Sequence, residues 1–264
     1  IQFSNLGGPG MEVALFWQDD RMFAIAGTTF YEIYEDGTGI NYGTVTVFPN
    51  IEPTMCSNGT AGHQIFITSG LNGYIFDLNT NVLTLIAAPD FPQGSAKMGE
   101  FMDGYFLVLI FDSRTFQISA LFDGTSWDGL DIAERSEGSD TLRAIKRSHR
   151  EIWVLGELTG EVWFDSGDPD FPFAPVQGVF IEIGCFGAST LQRIANTVMW
   201  LGANSSGINM VWIADGYTPK RVSTFAIEDI LQTTLPTFYR GWVYQERGHE
   251  FYVLNILSRD DTTP

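Results

Sequence analysis

Apolar residues in this chain come in short runs, closed by glycine or by Asn and Asp, and the runs come in pairs. MFAIAG (Met22 to Gly27) is followed by FYEIYEDG, IFITSG (Ile65 to Gly70) by NGYIFDLNTN, and YFLVLIF by RTFQISALFDG. IWVLGELTG is followed by EVWFDSGD and VMWLGANSSG by NMVWIADG, while FYVLNIL (Phe251 to Leu257) opens a sixth copy that breaks off. Runs of this length, rich in aromatic and β-branched residues and bounded by turn formers, predict strands. Helices of similar repeat length would show a 3.6-residue period instead.

The glycines that close four copies set the period. Gly27 to Gly70 is 43 residues, Gly156 to Gly202 is 46, and the 86 between Gly70 and Gly156 hold two units. Four-stranded propeller blades repeat at roughly 40 to 50 residues. The pattern predicts an all-β, β-propeller-like chain of about five to six blade-like repeats, incomplete at its C-terminus. A sandwich or paired barrels stay open, because any β-rich domain supplies strand–turn–strand pairs. A single domain over residues 1–264, the core of a longer protein, is the expected organisation. The pairs Asp36-Gly37, Asn72-Gly73, Asp123-Gly124 and Asp215-Gly216 mark tight turns. Two stretches break the rhythm: Phe122 to Asp140 reads as an acidic inter-blade loop, and Asp165 to Gly178, with three prolines, as a connector. Ser223 to Leu231 (STFAIEDIL) is the best helix candidate, with Ser223 or Thr224 as its cap.

Composition supports a packed core, with 44% hydrophobic and 17% charged residues. Acidic residues outnumber basic ones 32 to 14, a formal charge of −18. Such a surface disfavours duplex wrapping or an anionic membrane, but acidity does not exclude proximity to DNA, since a conduit wall benefits from not gripping what slides past it. The longest apolar run, Tyr105 to Phe111, is far short of a membrane span, and no signal-peptide pattern opens the sequence. Cys56 and Cys185 lack CxxC spacing, so free buried thiols are expected, with one disulfide as the alternative.

Catalytic motifs are not found: there is no GxSxG, HExxH, P-loop or GxGxxG at a strand–helix junction. His63, His149 and His249 each stand just before an apolar strand, a blade-edge position rather than a ligand set. Asp165, Asp168 and Asp170 lack the calcium-loop pattern and distal Glu, which leaves a solvated connector. Arg143, Lys146, Arg147 and Arg150 gather four basic residues within eight positions. They form either a patch for an acidic neighbour or phosphate, or a charged strand edge that discourages aggregation. Tyr74, Phe76, Trp163, Phe164 and Trp212 recur on the second strands, where packing between blades is the expected use and sugar stacking the alternative. No catalytic, cofactor or metal residues are assigned. The rival reading is a carbohydrate-binding or glycoside-hydrolysing propeller.

From Asp103 to Leu231 the order of blocks is more specific than a blade pattern. ELTGEVWF, the GCFGAS run at Gly184 to Ser189, and DGYTPKRVSTFAIEDI at Asp215 to Ile230 resemble the packaged-DNA-stabilisation proteins of short-tailed bacteriophages, the tail accessory factors of the head-to-tail hub. GHEFYVLNIL (Gly248 to Leu257) is similar to the family's following strand, and the first hundred residues fit more loosely. The resemblance implies a non-enzymatic, propeller-like virion protein, assembled in the host cytoplasm as a homohexameric ring. Its implied partners are the portal–adaptor complex, tail needle or tailspike proteins, and DNA that passes through without sequence-specific binding. No membrane is involved. Family members are longer, and their usual continuation is replaced here by SRDDTTP.

Overall fold

Each paired apolar run forms the middle of a four-stranded antiparallel sheet. The computed structural model describes residues 13–48, 51–70, 72–203, 207, 209–233 and 236–258. Among them five such sheets follow one another, each a meander whose spatial order is its chain order. The first holds β1 (Val13–Gln18), β2 (Arg21–Ala26), β3 (Thr29–Ile33) and β4 (Gly39–Thr44). The second holds β5 (Thr54–Ser57), β6 (Gln64–Thr68), β7 (Gly73–Asp77) and β8 (Val82–Leu85), with the short helix α1 (Gly59–Gly62) after β5. The third holds β9 (Ala96–Met102), β10 (Tyr105–Ile110), β11 (Thr115–Ala120) and β12 (Asp123–Glu134). The fourth holds β13 (Leu142–Ser148), β14 (Glu151–Gly156), β15 (Gly160–Asp165) and β16 (Phe173–Pro175). The fifth holds β17 (Gln192–Ile194), β18 (Thr197–Ala203), β19 (Asn209–Asp215) and β20 (Thr218–Arg221), followed by α2 (Phe225–Thr233). A hairpin of β21 (Pro236–Glu246) and β22 (His249–Ser258) makes the sixth repeat, in which FYVLNIL is the second strand. Asn204 to Ser206 of the fifth repeat and the tail from Arg259 onward lie outside the described residues.

The chain divides into two compact units, Ile1–Ala133 and Glu134–Pro264. The first unit shows why the inner strands read as unbroken apolar runs. On the second sheet, Ile65, Ile67, Tyr74 and Phe76 pack against Phe23, Ile25, Phe30 and Val45 of the first repeat. The alternate residues Phe66 and Ile75 face the other way, against Ala96, Phe106, Val108 and Trp127. Successive side chains point to opposite faces, so a strand buried on both sides needs apolar residues at every position. Full burial of each large side chain contributes about 1.5–3 kcal/mol. The last strands β4, β8 and β20 are largely exposed; β4 and β20 are mostly polar, whereas β8 (VLTL) leaves Val82 and Leu85 open to solvent.

Three sequence expectations change. Phe122 to Asp140 is not a loop through most of its length, because Asp123–Glu134 forms the long outer strand β12. Its outward positions are mostly polar, Leu130 and Ile132 apart, and only Gly124, Trp127 and Ala133 turn fully inward, so no apolar run announces it. A side chain at Gly124 would overlap Ile75 and Phe106, which explains glycine there. The tight turn falls two residues earlier than Asp123-Gly124, at Leu121 and Phe122, with Phe122 left-handed at φ 56°. Within the proline-rich connector, Phe173–Pro175 pairs with β15 as an edge strand, where proline's missing N–H is tolerated. α2 begins at Phe225 and runs to Thr233, slightly beyond the expected helix.

The periodic glycines answer different demands. Gly27 and Gly70 take left-handed turns at φ 57° and 80°. A side chain at Gly156 would strike Asp140 and Arg135, and one at Gly202 would strike the Gly184 carbonyl. No helix among the described residues is long and apolar enough to cross a membrane.

Candidate interaction surfaces

The basic segment sits on β13, the first strand of its sheet, hydrogen-bonded on one side to β14. Leu142, Ala144 and Ile145 are buried, whereas Arg143 and Arg147 point to solvent and Lys146 is half-buried. Arg143 pairs with Glu157 at the surface. Charges on an open strand edge discourage edge-to-edge association. The turn that follows places His149, in a left-handed conformation at φ 59°, and Arg150 at the rim of a shallow depression of about 560 Å3. Glu151, Phe164, Val176 and Tyr217 complete its lining. Tyr217 donates its hydroxyl to Glu151, and that bond, then burial, raises the phenol above its ordinary pKa. Phe164 is the member of the aromatic set that opens here; Tyr74, Phe76 and Trp163 are buried, in line with packing.

Much of the acidity is turn chemistry. Asp19, Asp20, Asp103 and Asp112 adopt left-handed backbone conformations, which Asp tolerates better than most residues. Asp36 and Asp123 each accept a backbone N–H and a hydroxyl from the threonine two residues on. Asp165 and Asp168 cap their turns likewise, accepting from Gly167 and Asp170 N–H at 2.8 and 2.9 Å. The apparent calcium pattern is therefore a pair of Asx-turns. His63 occupies a left-handed turn before β6, and His249 is the first residue of β22. Among the described residues no cluster of three or more His, Cys, Asp or Glu side chains could hold a metal ion. Cys56 and Cys185 are both buried thiols and form no disulfide.

Two of the three blocks that carry the family resemblance, GCFGAS and the STFAIEDI stretch, form connected surfaces in the second unit. GCFGAS runs against the hairpin: Ser189 donates to the Tyr239 carbonyl at 2.8 Å, and Tyr252 donates to the Thr190 carbonyl at 2.7 Å. Gly184 approaches the Glu157 backbone so closely that any side chain would overlap it. Tyr239, Tyr252, Leu254 and Ile256 pack with Leu201, Val211 and Leu231. In the STFAIEDI block, Ser223 accepts the Val211 N–H at 3.2 Å and donates to Glu228 at 2.8 Å, which fixes the start of α2. Leu231 turns inward, while Phe225 is 86% exposed and Ile227 and Ile230 also face solvent. The sequence pattern alone does not reveal this apolar outer face, since a short amphipathic helix is expected to bury its apolar residues.

The hairpin has apolar residues on both faces. Its inner face carries Tyr239, Gly241, Tyr252, Leu254 and Ile256. Its outer face pairs Trp242 with Val253 and Tyr244 with Phe251. Tyr244 and Phe251 stack at 5.0 Å between centroids, Trp242 lies 5.5 Å from Tyr244, and all three rings are exposed.

Several solved structures share the fold at low sequence identity. The extracellular domain of BT4673 from B. thetaiotaomicron aligns with 96% of this chain at 11% identity and a TM-score of 0.60, over 33% of its own length. PorZ, a surface component of the type-IX secretion system of Porphyromonas gingivalis, aligns with 93% at 10% identity and a TM-score of 0.52, over 31% of its length. The WD40 domain of Neurospora crassa Pan2 aligns with 91% at 11% identity and a TM-score of 0.50, over 74% of its length. The chain thus spans about a third of BT4673 and of PorZ, and these likenesses establish architecture alone. No curated protein matches the chain. The decisive match is to the family described by Gp10 of bacteriophage P22, a β-propeller, over residues 4–259, and the chain belongs to this phage packaged-DNA-stabilisation family.

Proposed function

We propose that the chain is a subunit of a phage tail hub that extends or plugs the portal channel and retains packaged DNA. It works through shape and interfaces, as a homohexameric ring seated on the portal–adaptor complex and carrying tail needle or tailspike proteins. The observation that carries this reading is the family match over residues 4–259. Its surfaces agree with such a role. They consist of charged edges and exposed apolar faces, the usual material of protein contacts, on a scaffold of repeated rigid sheets.

Deleting the gene in the phage and measuring genome loss from assembled heads tests the proposal. Heads without the protein are expected to leak DNA and to recover when it is added back. Heads that keep their genome without it would sink the idea.

A further inference from the structure

Among the described residues the two exposed tryptophans, Trp17 and Trp242, each stand on a sheet face with further exposed apolar side chains, on strands whose other face is packed. One is the outer face of the β21–β22 hairpin, with Trp242, Tyr244 and Phe251 exposed at 44%, 38% and 42%. A two-stranded ribbon is marginal by itself, and among the described residues β22 pairs with β21 alone. The other is the outer face of the first sheet. There β1 buries Ala14 and Phe16 partly against the core of the first unit, while Leu15 and Trp17 are 58% and 59% exposed.

The charges around the two faces are complementary. Trp17 is followed by the Asp19–Asp20 turn, both residues exposed. Around the hairpin's outer face stand Arg240, Glu246 and His249, with Arg247 at the turn, its side chain 89% exposed and 3.9 Å from Glu246, so that two arginines face one carboxylate. Glu250 turns to the opposite face, where it accepts the Ala195 N–H. Both units are net acidic, and the first is the more strongly so. Residues 1–133 contain three Lys and Arg against fifteen Asp and Glu; residues 134–264 contain eleven against seventeen.

We infer that the hairpin's outer face docks on the Leu15–Trp17 face of a second copy of this chain, a head-to-tail contact in which each copy offers a different surface. The inference rests on the proposed role as an assembling subunit and names the surfaces that role would use. Sheet-on-sheet burial of aromatic side chains is the contact this fold already makes internally, where Phe23 and Phe30 meet Phe76 at 5.5 and 5.0 Å. Heterologous contacts of this kind close into rings when the rotation permits and otherwise propagate as filaments.

The test uses the whole chain by analytical ultracentrifugation, without other virion components, up to about 100 μM, well above the micromolar range of weak standard-size interfaces. Wild type is expected to self-associate. A hairpin variant (Trp242→Ser with Tyr244→Ser) and a first-sheet variant (Leu15→Ser with Trp17→Ser) are each expected to weaken association by about tenfold or more. All four positions are exposed, so both variants should keep the wild-type circular dichroism. A third variant, Arg247→Glu, weakens association without removing any apolar group. Mixing the hairpin and first-sheet variants is the deciding step, because each retains the face the other lacks. A one-to-one complex that does not grow further supports head-to-tail docking. No complex on mixing, when wild type associates, overturns it in favour of a self-paired surface. A monomeric wild type across the whole range overturns it in favour of a different partner. These outcomes are independent of genome leakage, so failure here and failure of the hub role can be told apart.

Discussion

The two compact units build the same sheet but hold it together differently. In residues 13–133 three complete sheets press their faces together, and the contacts are mainly aromatic and aliphatic, from Phe23 and Phe30 through Phe66 and Phe76 to Phe106 and Trp127. The main ion pair there joins a half-buried arginine to a buried glutamate. Arg21 donates two bonds to Glu32 at 2.7 and 2.8 Å, with its side chain 23% exposed. Residues 134–258 contain two complete sheets and a hairpin, joined by irregular segments, and their bracing is polar and buried. Arg135, 1% exposed, donates to Asp140 at 2.5 Å and to the carbonyls of Asp140 and Thr159 at 3.1 Å. Asp140 also accepts the Leu158 and Thr159 N–H groups at 2.9 and 3.2 Å. Beside it, Glu161 accepts from Ser136, Glu137 and the Trp163 indole. Regular meanders satisfy their own backbone and need only apolar faces. Irregular connectors must find side-chain partners for theirs.

The largest expected effect therefore lies in the second unit. Arg135→Ala leaves a buried carboxylate without its cation, a change that costs about 3–5 kcal/mol in comparable pairs. Urea denaturation measures the loss, and hydrogen exchange locates it. Protection should fall across residues 135–161 and hold across 13–85. An equal loss in both regions would erase the distinction drawn between them.

Acid should separate the units in the same sense. Burial alone would raise the Asp140 pKa. The Arg135 bond, with those from Leu158 and Thr159, outweighs it and holds the carboxyl well below its ordinary range. The folded pKa lies below the unfolded value of about 3.9. The stabilisation is therefore complete above that value and is lost as pH falls towards the folded pKa. Glu32 is lowered in the same direction, chiefly by its bond to Arg21. Below about pH 4, exchange is expected to accelerate most around Asp140, whose carboxyl is held lowest, and Asp140→Asn should flatten that pH dependence while lowering stability at pH 7.

Arg21→Ala is the matching change in the first unit and should cost less, about 1.5–3 kcal/mol, the range for hydrogen bonds to charged groups. Glu32 keeps the Tyr42 hydroxyl at 2.8 Å as a partner. Tyr42 in turn has its phenol pushed up to about 12, by burial first and by Glu32 second. Loss of the Arg21 guanidinium from above the Phe23 ring, at 5.0 Å, adds to the effect. A cost equal to that of Arg135→Ala would mean that burial of the pair does not set the difference.

This contrast also marks how far the sequence could be read. The paired runs at MFAIAG, IFITSG, YFLVLIF, IWVLG and VMWLG fall on the second strand of each sheet, because those strands are apolar on both faces. From them the period, the all-β class and the repeat number follow. The outer strand β12 was hidden, since one face of it is solvated and Leu130 is 87% exposed. The Arg135–Asp140 brace was hidden for another reason: SEGSD has the composition of a solvated loop, and only the fold brings Thr159 and Glu161 to it. The basic segment 143–150 was legible as a strand edge. The aromatic outer face of the hairpin was not, because FYVLNIL reads equally well as a strand buried on both sides.

The smallest effect tests whether polar bracing extends to α2. Ser223 joins β19 to the helix, accepting from Val211 and donating to Glu228, which is 5% exposed. Ser223→Ala should cost about 1 kcal/mol, the usual net contribution of a hydrogen bond. The Arg221 guanidinium, 3.5 Å from Glu228, remains as a partner for the carboxylate. Ser223→Thr keeps the hydroxyl and should recover most of the loss, which separates the hydrogen bonds from packing. Leu231 still anchors the helix in both variants, so far-ultraviolet circular dichroism should barely change while the urea midpoint moves. If alanine and threonine behave alike, α2 is held by its apolar side alone, and polar bracing in the second unit stops at the connectors.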